Sequence, residues 1–181
     1  MYILKGSVQR LFAYMKRLPR VSFVLLIIFL CVCADQATKW AAKKYLAPDA
    51  LISYAGDIFR LQYAENTGAF LSLGASLPEP WRHLVFTVSV GVLLFALFLY
   101  LLLSRSLPRL YLACLSLVCG GGLSNLIDRV IYNGRVVDFL NLGIGPLRTG
   151  IFNVADMGIT AAAILLAIDS FRRTPPPASQ A

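Results

Sequence analysis

The sequence predicts a mainly α integral membrane protein in which four transmembrane helices carry a small β-sheet on the outer membrane face. Three observations predict it. Hydrophobic residues make up 58% of the 181 positions and charged residues only 14%, and a mean hydropathy of +0.70 is far from the averages of a soluble domain. Four apolar runs, about 21–40, 84–103, 110–132 and 151–171, are each long enough to cross a bilayer as a helix with every backbone group bonded internally. Between them lie short segments rich in β-branched, leucine and aromatic residues, bounded by Gly, Pro, Asp or Asn, which is the pattern of strands.

The chain has room for one membrane-embedded unit, 1–181, and no internal repeat. Lys5, Arg10, Lys16, Arg17 and Arg20 precede the first span with no acid among them. Arg105 and Arg109 flank the turn between the second and third spans, and Arg172 and Arg173 follow the fourth. Basic residues near span ends mark the cytoplasmic side, so both termini are expected there. The opposite loop carries Lys43, Lys44, Arg60 and Arg82, so the bias is modest. The outer segments are then 41–83 and 133–150, with strands expected over 51–54, 58–63 and 136–142. The proline-rich stretch 174–181 reads as a disordered tail.

A net charge of +8 would suit nucleic acid, but the basic residues cluster beside apolar runs, where they match anionic headgroups. No nucleic-acid partner is expected; membrane lipids are. The N-terminal basic and apolar stretch ending near Cys31-Val32-Cys33-Ala34 imitates a cleavable signal peptide. Its apolar run continues past Asp35 to Trp40, so it reads as an uncleaved span. Cys31, Cys33, Cys114 and Cys119 all fall inside predicted spans, where they pack as small apolar residues. The sequence indicates neither a metal, a disulfide nor a cofactor.

Polar residues within or beside the spans carry the functional signal, since an ionisable group at that depth usually marks an ion path, a proton relay or a catalytic site. Asp138 and Asp156 lie in Val136-Val137-Asp138-Phe139 and Phe152-Asn153-Val154-Ala155-Asp156. Asp35 and Lys39 are four apart on one helix face, near the outer end of the first span, where water is expected to reach the pair. In the third span Gly120-Gly121-Gly122 permits close helix contact, and Asn125, Asp128 and Arg129 share an inward face. Asn153 and Asp156, three apart, are expected on one face of the fourth helix. A polar network that merely holds helices together is the plainer reading. Three inward polar faces at one depth exceed what packing four helices requires.

In their order these segments resemble the lipoprotein signal peptidases, the type II signal peptidases of bacteria. The resemblance rests on Asp35-Gln36-Ala37-Thr38-Lys39, Asn66-Thr67-Gly68-Ala69-Phe70, Gly121-Gly122-Leu123-Ser124-Asn125-Leu126-Ile127-Asp128-Arg129, Val137-Asp138-Phe139 and Phe152-Asn153-Val154-Ala155-Asp156. It implies a four-span, inner-membrane aspartic protease with a small periplasmic β-domain and a catalytic pair at Asp138 and Asp156 near the periplasmic face. Supporting or substrate-binding roles are implied for Asp35, Lys39, Asn66, Gly68, Asn125, Asp128, Arg129 and Asn153. The implied substrate is a prolipoprotein carrying diacylglycerol on its lipobox cysteine, cleaved just before that cysteine; separately, the chain is expected to be a monomer. Phe70-Leu71-Ser72 and Ser124 depart from the family pattern, both expected near the substrate-facing surface.

Other classes fit less well. Gly122-Leu123-Ser124 resembles the serine motif of rhomboid-type proteases, but that mechanism needs a histidine base, and the lone histidine, His83, opens the second span at the outer surface. A small ion-coupled transporter could use Asp138 and Asp156 as proton sites, yet transporters commonly show paired repeats or helices broken near the midplane. Two close carboxylates suit peptide hydrolysis, because like charges a few ångströms apart share one proton and so supply an acid and a base together.

Overall fold

The computed structural model describes residues 19–46, 50–68 and 76–173. The basic residues before Pro19, the departure at Phe70 and the tail 174–181 lie outside the described residues. In chain order the elements are α1 (Arg20–Tyr45), β1 (Leu51–Tyr54), β2 (Phe59–Asn66), α2 (Glu79–Leu103), α3 (Arg109–Ile131), β3 (Val136–Ile144), β4 (Leu147–Arg148) and α4 (Val154–Arg173). All four helices are long and apolar enough to cross a membrane.

Proline sets where α1 and α3 start. Pro19 and Pro108 immediately precede these helices, where a fixed φ is pre-organised and the missing N–H is no loss. Their carbonyls accept the first intrahelical bonds, from Phe23 and Leu112. The Arg20 guanidinium donates to the carbonyl of Leu101 at 3.0 and 3.2 Å, tying the start of α1 to the end of α2.

α3 is the central helix and packs against the other three. Its approach to α1 is set by Gly120, where a Cβ would meet the Ile28 backbone at 3.1 Å, and its approach to α4 by Gly121, where a Cβ would meet the Ala155 carbonyl at 2.9 Å. Neither position has space for a side chain, which is how small residues stabilise helix pairs in lipid. Phe23, Val24, Ile28, Leu101, Leu112 and Cys119 form the core at the end remote from the sheet. Cys114 and Cys119 are buried, as small apolar residues would be, whereas Cys33 is exposed; all four cysteines are free.

α2 begins at Glu79, earlier than the apolar run suggests, because Pro78 and Pro80 start a helical turn outside the hydrophobic stretch. Residues Leu84–Ser89 then adopt a π-helical turn, a rare widening that often accompanies functional sites. The Ser89 hydroxyl donates to the Leu84 carbonyl across it.

The sheet is antiparallel in the order β1-β2-β3-β4. β2 runs on to Asn66, beyond the segment the sequence marks, because its second half pairs with β3: Ala64 faces Asp138 and Asn66 faces Val136, with a register shift between Leu61 and Ala64. β3 is buried from Val136 to Asn141. On its other side the chain before α4 bonds back to it. The Phe152 carbonyl accepts N–H groups from Phe139 and Leu140, and the Phe152 N–H donates to the Leu140 carbonyl. Residues 151–153 are therefore spent on this bridge, and α4 starts at Val154 rather than where the apolar run begins.

Candidate active site

Asp138 and Asp156 come together because β3 and the start of α4 are joined by that bridge. Asn153 links them. Its side-chain amide donates to Asp138 Oδ1 at 2.7 Å, and its backbone N–H donates to Asp156 Oδ2 at 3.2 Å. Asn66, at the end of β2, donates to Asp138 Oδ2 at 3.2 Å, and Asn125 on α3 donates to Asp156 Oδ1 at 3.0 Å. Each of the four carboxylate oxygens accepts an N–H, and every one of these donors is neutral. Both acids line a cavity of about 210 Å³ together with Asn66, Asn125, Arg129 and Phe86.

The structure corrects the expectation for Asn153, which does not lie on a face of α4. It is the residue before the helix: its Oδ1 accepts the Asp156 N–H at 3.0 Å while Asp156 accepts the Asn153 N–H. This reciprocal exchange is a capping box, so Asp156 is fixed in the first turn, close to the positive end of the helix dipole.

A second set of acids lies behind the first. Lys39 Nζ meets Asp35 Oδ2 at 2.7 Å, Asp128 Oδ2 at 2.8 Å and Asn125 Oδ1 at 2.8 Å, so all three ammonium hydrogens have acceptors. The expected position of Asp35 and Lys39 near water is wrong. They are 0% and 3% exposed, because α3 and the start of α4 close over the pair. Each acid of this set also holds backbone beside the cavity. Asp35 Oδ1 accepts the Ala155 N–H at 2.8 Å, next to Asp156, and Asp128 Oδ2 accepts the Val137 N–H at 3.0 Å, next to Asp138.

Arg129 closes the cavity on another side. Its guanidinium donates to the carbonyls of Gly134 at 3.0 Å and Gly68 at 2.7 Å and lies 5.6 Å from the Phe86 ring centroid, a residue of the π-helical turn. Gly68 is buried, and its own N–H donates to Asn66 Oδ1 at 2.9 Å, which orients the Asn66 amide toward Asp138.

This environment disfavours charge on Asp138. Burial first, and the negative charge of Asp156 second, push its carboxyl up to about 7, against the amide donors of Asn66 and Asn153 and the charge of Lys39. A carboxyl that titrates near neutrality is suited to proton transfer.

The family model described as signal peptidase (SPase) II matches residues 27–172, a stretch that contains every residue of the site. The chain belongs to the signal peptidase II family. It is 36% identical to the lipoprotein signal peptidase of Paraburkholderia phymatum over 83% of this chain and 85% of that one. It is 38% identical to that of Moorella thermoacetica over 78% of this chain and 88% of the relative. Among solved structures it is similar to a bacterial membrane enzyme determined by the in meso method, with a TM-score of 0.73 and 25% identity over 88% of this chain and 94% of that one.

Within this candidate site of a signal peptidase II family member, Ser124 is not where the sequence suggests. It is fully buried rather than substrate-facing, and its hydroxyl donates to Asp35 Oδ2 at 2.7 Å. Gln36 is the polar residue whose role the spacing does not disclose. Its amide donates to Asp128 Oδ1 at 2.8 Å and to Ser124 Oγ at 3.1 Å. The available signal was its position three residues before Lys39, on the same inward face of α1.

Proposed function

We propose that this chain is an aspartic endopeptidase in which Asp138 and Asp156 are the catalytic pair, cleaving prolipoproteins immediately before a lipid-bearing cysteine. Membership of the signal peptidase II family makes it a peptidase that removes signal peptides from prolipoproteins, and with its four apolar helices a multi-pass protein of the bacterial inner membrane. The observation that carries the catalytic reading is that the two carboxylates share one cavity and one bridging residue, Asn153. The pair holds a single proton near neutral pH. The ionised carboxylate takes a proton from water as that water attacks the scissile carbonyl, and the protonated one gives its proton to the departing amine. Neutral asparagine donors hold both groups in place while leaving this proton on the pair.

Asp35, Lys39 and Asp128 are positioning residues in this scheme, acting on the backbone at Ala155 and Val137. Asn66, Asn125 and Asn153 orient the carboxylates, and Arg129 with Gly68 forms the wall against which substrate is held. The enzyme acts as a monomer, taking substrate sideways from lipid. The sheet faces the periplasm and both termini the cytoplasm, as the basic residues near Arg20, Arg109 and Arg172 favour.

The deciding experiment is cleavage of a diacylglyceryl-modified prolipoprotein by the purified chain. Asp138→Asn or Asp156→Asn should lower turnover by about 10³ or more, since Asn is nearly isosteric but cannot exchange the proton. Substantial turnover by either variant would remove it from the catalytic pair. Orientation is checked by thiol labelling in intact cells, in a background lacking the native cysteines. A cysteine replacing Ser76 should react with an impermeant reagent and one replacing Ser179 should resist it; the reverse pattern would invert the topology.

A further inference from the structure

At the sheet-side end of the helices, the first turn of α2 and the last turn of α3 enclose a second polar pocket, of about 240 Å³. It is lined by Glu79, Arg82 and His83 from α2, by Arg129 from α3 and by the Asn133-Gly134 turn. That turn has φ of +52° and +85°, which asparagine and glycine adopt most readily. It is tied to Arg129 twice: the guanidinium donates to the Gly134 carbonyl at 3.0 Å, and the Gly134 N–H donates to the Arg129 carbonyl at 2.7 Å. Among the described residues, the bonds from Arg129 to Gly134 and Gly68 use two of its five N–H donors. Arg129 lines this pocket as well as the catalytic cavity.

Charge and depth both restrict what the pocket suits. Two arginines against one glutamate leave a surplus of one positive charge. Trp81, beside Arg82, is exposed, as aromatic residues at the headgroup level of a bilayer are. Apolar surface starts within a turn of the pocket: Leu84 and Val85 follow in α2, Val130 forms part of the wall, and all three are exposed. A cationic recess beside lipid-facing apolar surface suits an amphiphile whose anion is followed by hydrocarbon.

We propose that this pocket binds the phosphodiester of an anionic phospholipid with a hydroxylated headgroup, taken from the surrounding bilayer. One phosphodiester carries the single negative charge that balances the surplus, and guanidinium groups match phosphate in shape as well as charge. Basic recesses between spanning helices hold such headgroups. Glu79 and Asn133 then face the rest of the headgroup, where a glycerol hydroxyl can donate to the carboxylate and accept from the amide. Free phosphate offers the same anion but forgoes the apolar surface of Leu84, Val85 and Val130. The proposal does not depend on the catalytic pair, because neither Asp138 nor Asp156 lines this pocket.

The test uses the full chain carrying Trp40→Phe, which leaves Trp81 as its single tryptophan, in phosphatidylcholine bilayers to which brominated lipids are added. Quenching of Trp81 should show brominated phosphatidylglycerol binding about fivefold more tightly than brominated phosphatidylcholine, the scale of one interfacial cation. Arg82→Gln should erase that preference and Arg82→Lys should keep most of it. Val130→Phe, which narrows the pocket without removing a charge, should weaken it. Lys44→Gln removes a charge from the sheet-side end of α1, outside the pocket, and should leave the preference intact. The proposal is overturned if the Trp40→Phe chain shows no preference, or if Lys44→Gln lowers it as much as Arg82→Gln does. It is equally overturned if brominated phosphatidylethanolamine binds as tightly as phosphatidylglycerol. Relief of the quenching by millimolar inorganic phosphate would assign the anion to solution and not to lipid. An Arg82→Gln rise in KM confined to lipopeptides with an acidic residue after the cysteine, and identical in both lipids, would give the pocket to the substrate peptide and overturn the lipid reading.

Discussion

The protein sets two pairs of aspartates side by side and treats them in opposite ways. Asp35 and Asp128 share a lysine, and their carboxylates also accept a serine, a glutamine and two backbone N–H groups. Among the described residues, Asp138 and Asp156 receive only neutral amide donors. Lys39 reaches Asn125, which in turn reaches Asp156, so the cation acts on the second pair through an intervening amide. Asp35, Asp128 and Asp138 are fully buried and Asp156 half-buried, but the pairs differ more in compensation. The lysine compensates the first pair directly and so fixes structure, whereas burial and the neighbouring carboxylate hold the Asp138 carboxyl well above its usual range.

The largest effect expected from this contrast is on stability. Lys39→Met removes the cation between two carboxylates and leaves both buried, a loss of about 3–5 kcal/mol, or roughly 10 °C in melting temperature for a chain of this size. Thermal unfolding in detergent checks it, with Asp138→Asn as the contrast. If Lys39→Met melts like the parent, the inner set is not a fixed charge network and the distinction between the pairs collapses.

Asp138→Asn should move stability the other way, and with pH. Because its folded-state carboxyl titrates near 7, above the ordinary value of about 4, Asp138 contributes stability fully below about pH 4. That contribution is lost as pH rises through about 7. An asparagine does not titrate. The melting temperature of Asp138→Asn relative to the parent should therefore climb between about pH 4 and pH 8, and a flat difference would show that Asp138 is ionised throughout. The smallest effect is expected at Arg135, whose ion pair with Glu65 at 2.8 Å leaves the two side chains 55% and 34% exposed. Arg135→Ala should change stability by less than about 1 kcal/mol. A larger loss would mean that surface pairs in the sheet matter as much as the buried set.

The sequence disclosed the fold class through apolar length, which depends only on local composition, and it disclosed Asp138, Asp156 and the inward face of α3 because charge in an apolar run is conspicuous. It misled on Asn153, since the bridge between Leu140 and Phe152 that takes this residue out of α4 is a contact between segments that no periodicity records. It misled on Asp35 and Lys39 for the same reason. Their depth is set by α3 and α4 closing over them, so a position near a span end did not mean access to water. Ser124 looked like a surface departure because its partner, Asp35, is 89 residues away.

The four-residue spacing of Asp35 and Lys39 also bears on how the chain is assembled. α1 leaves the insertion machinery before α3 has been synthesised, carrying one acid and one base that pair within the helix itself and so present the lipid with a neutral couple. Asp128 enters later, on a helix with no cation placed four residues from it, and finds in Lys39 a partner already waiting in the membrane. The order of the helices along the chain thus matches an order in which each buried charge meets a partner.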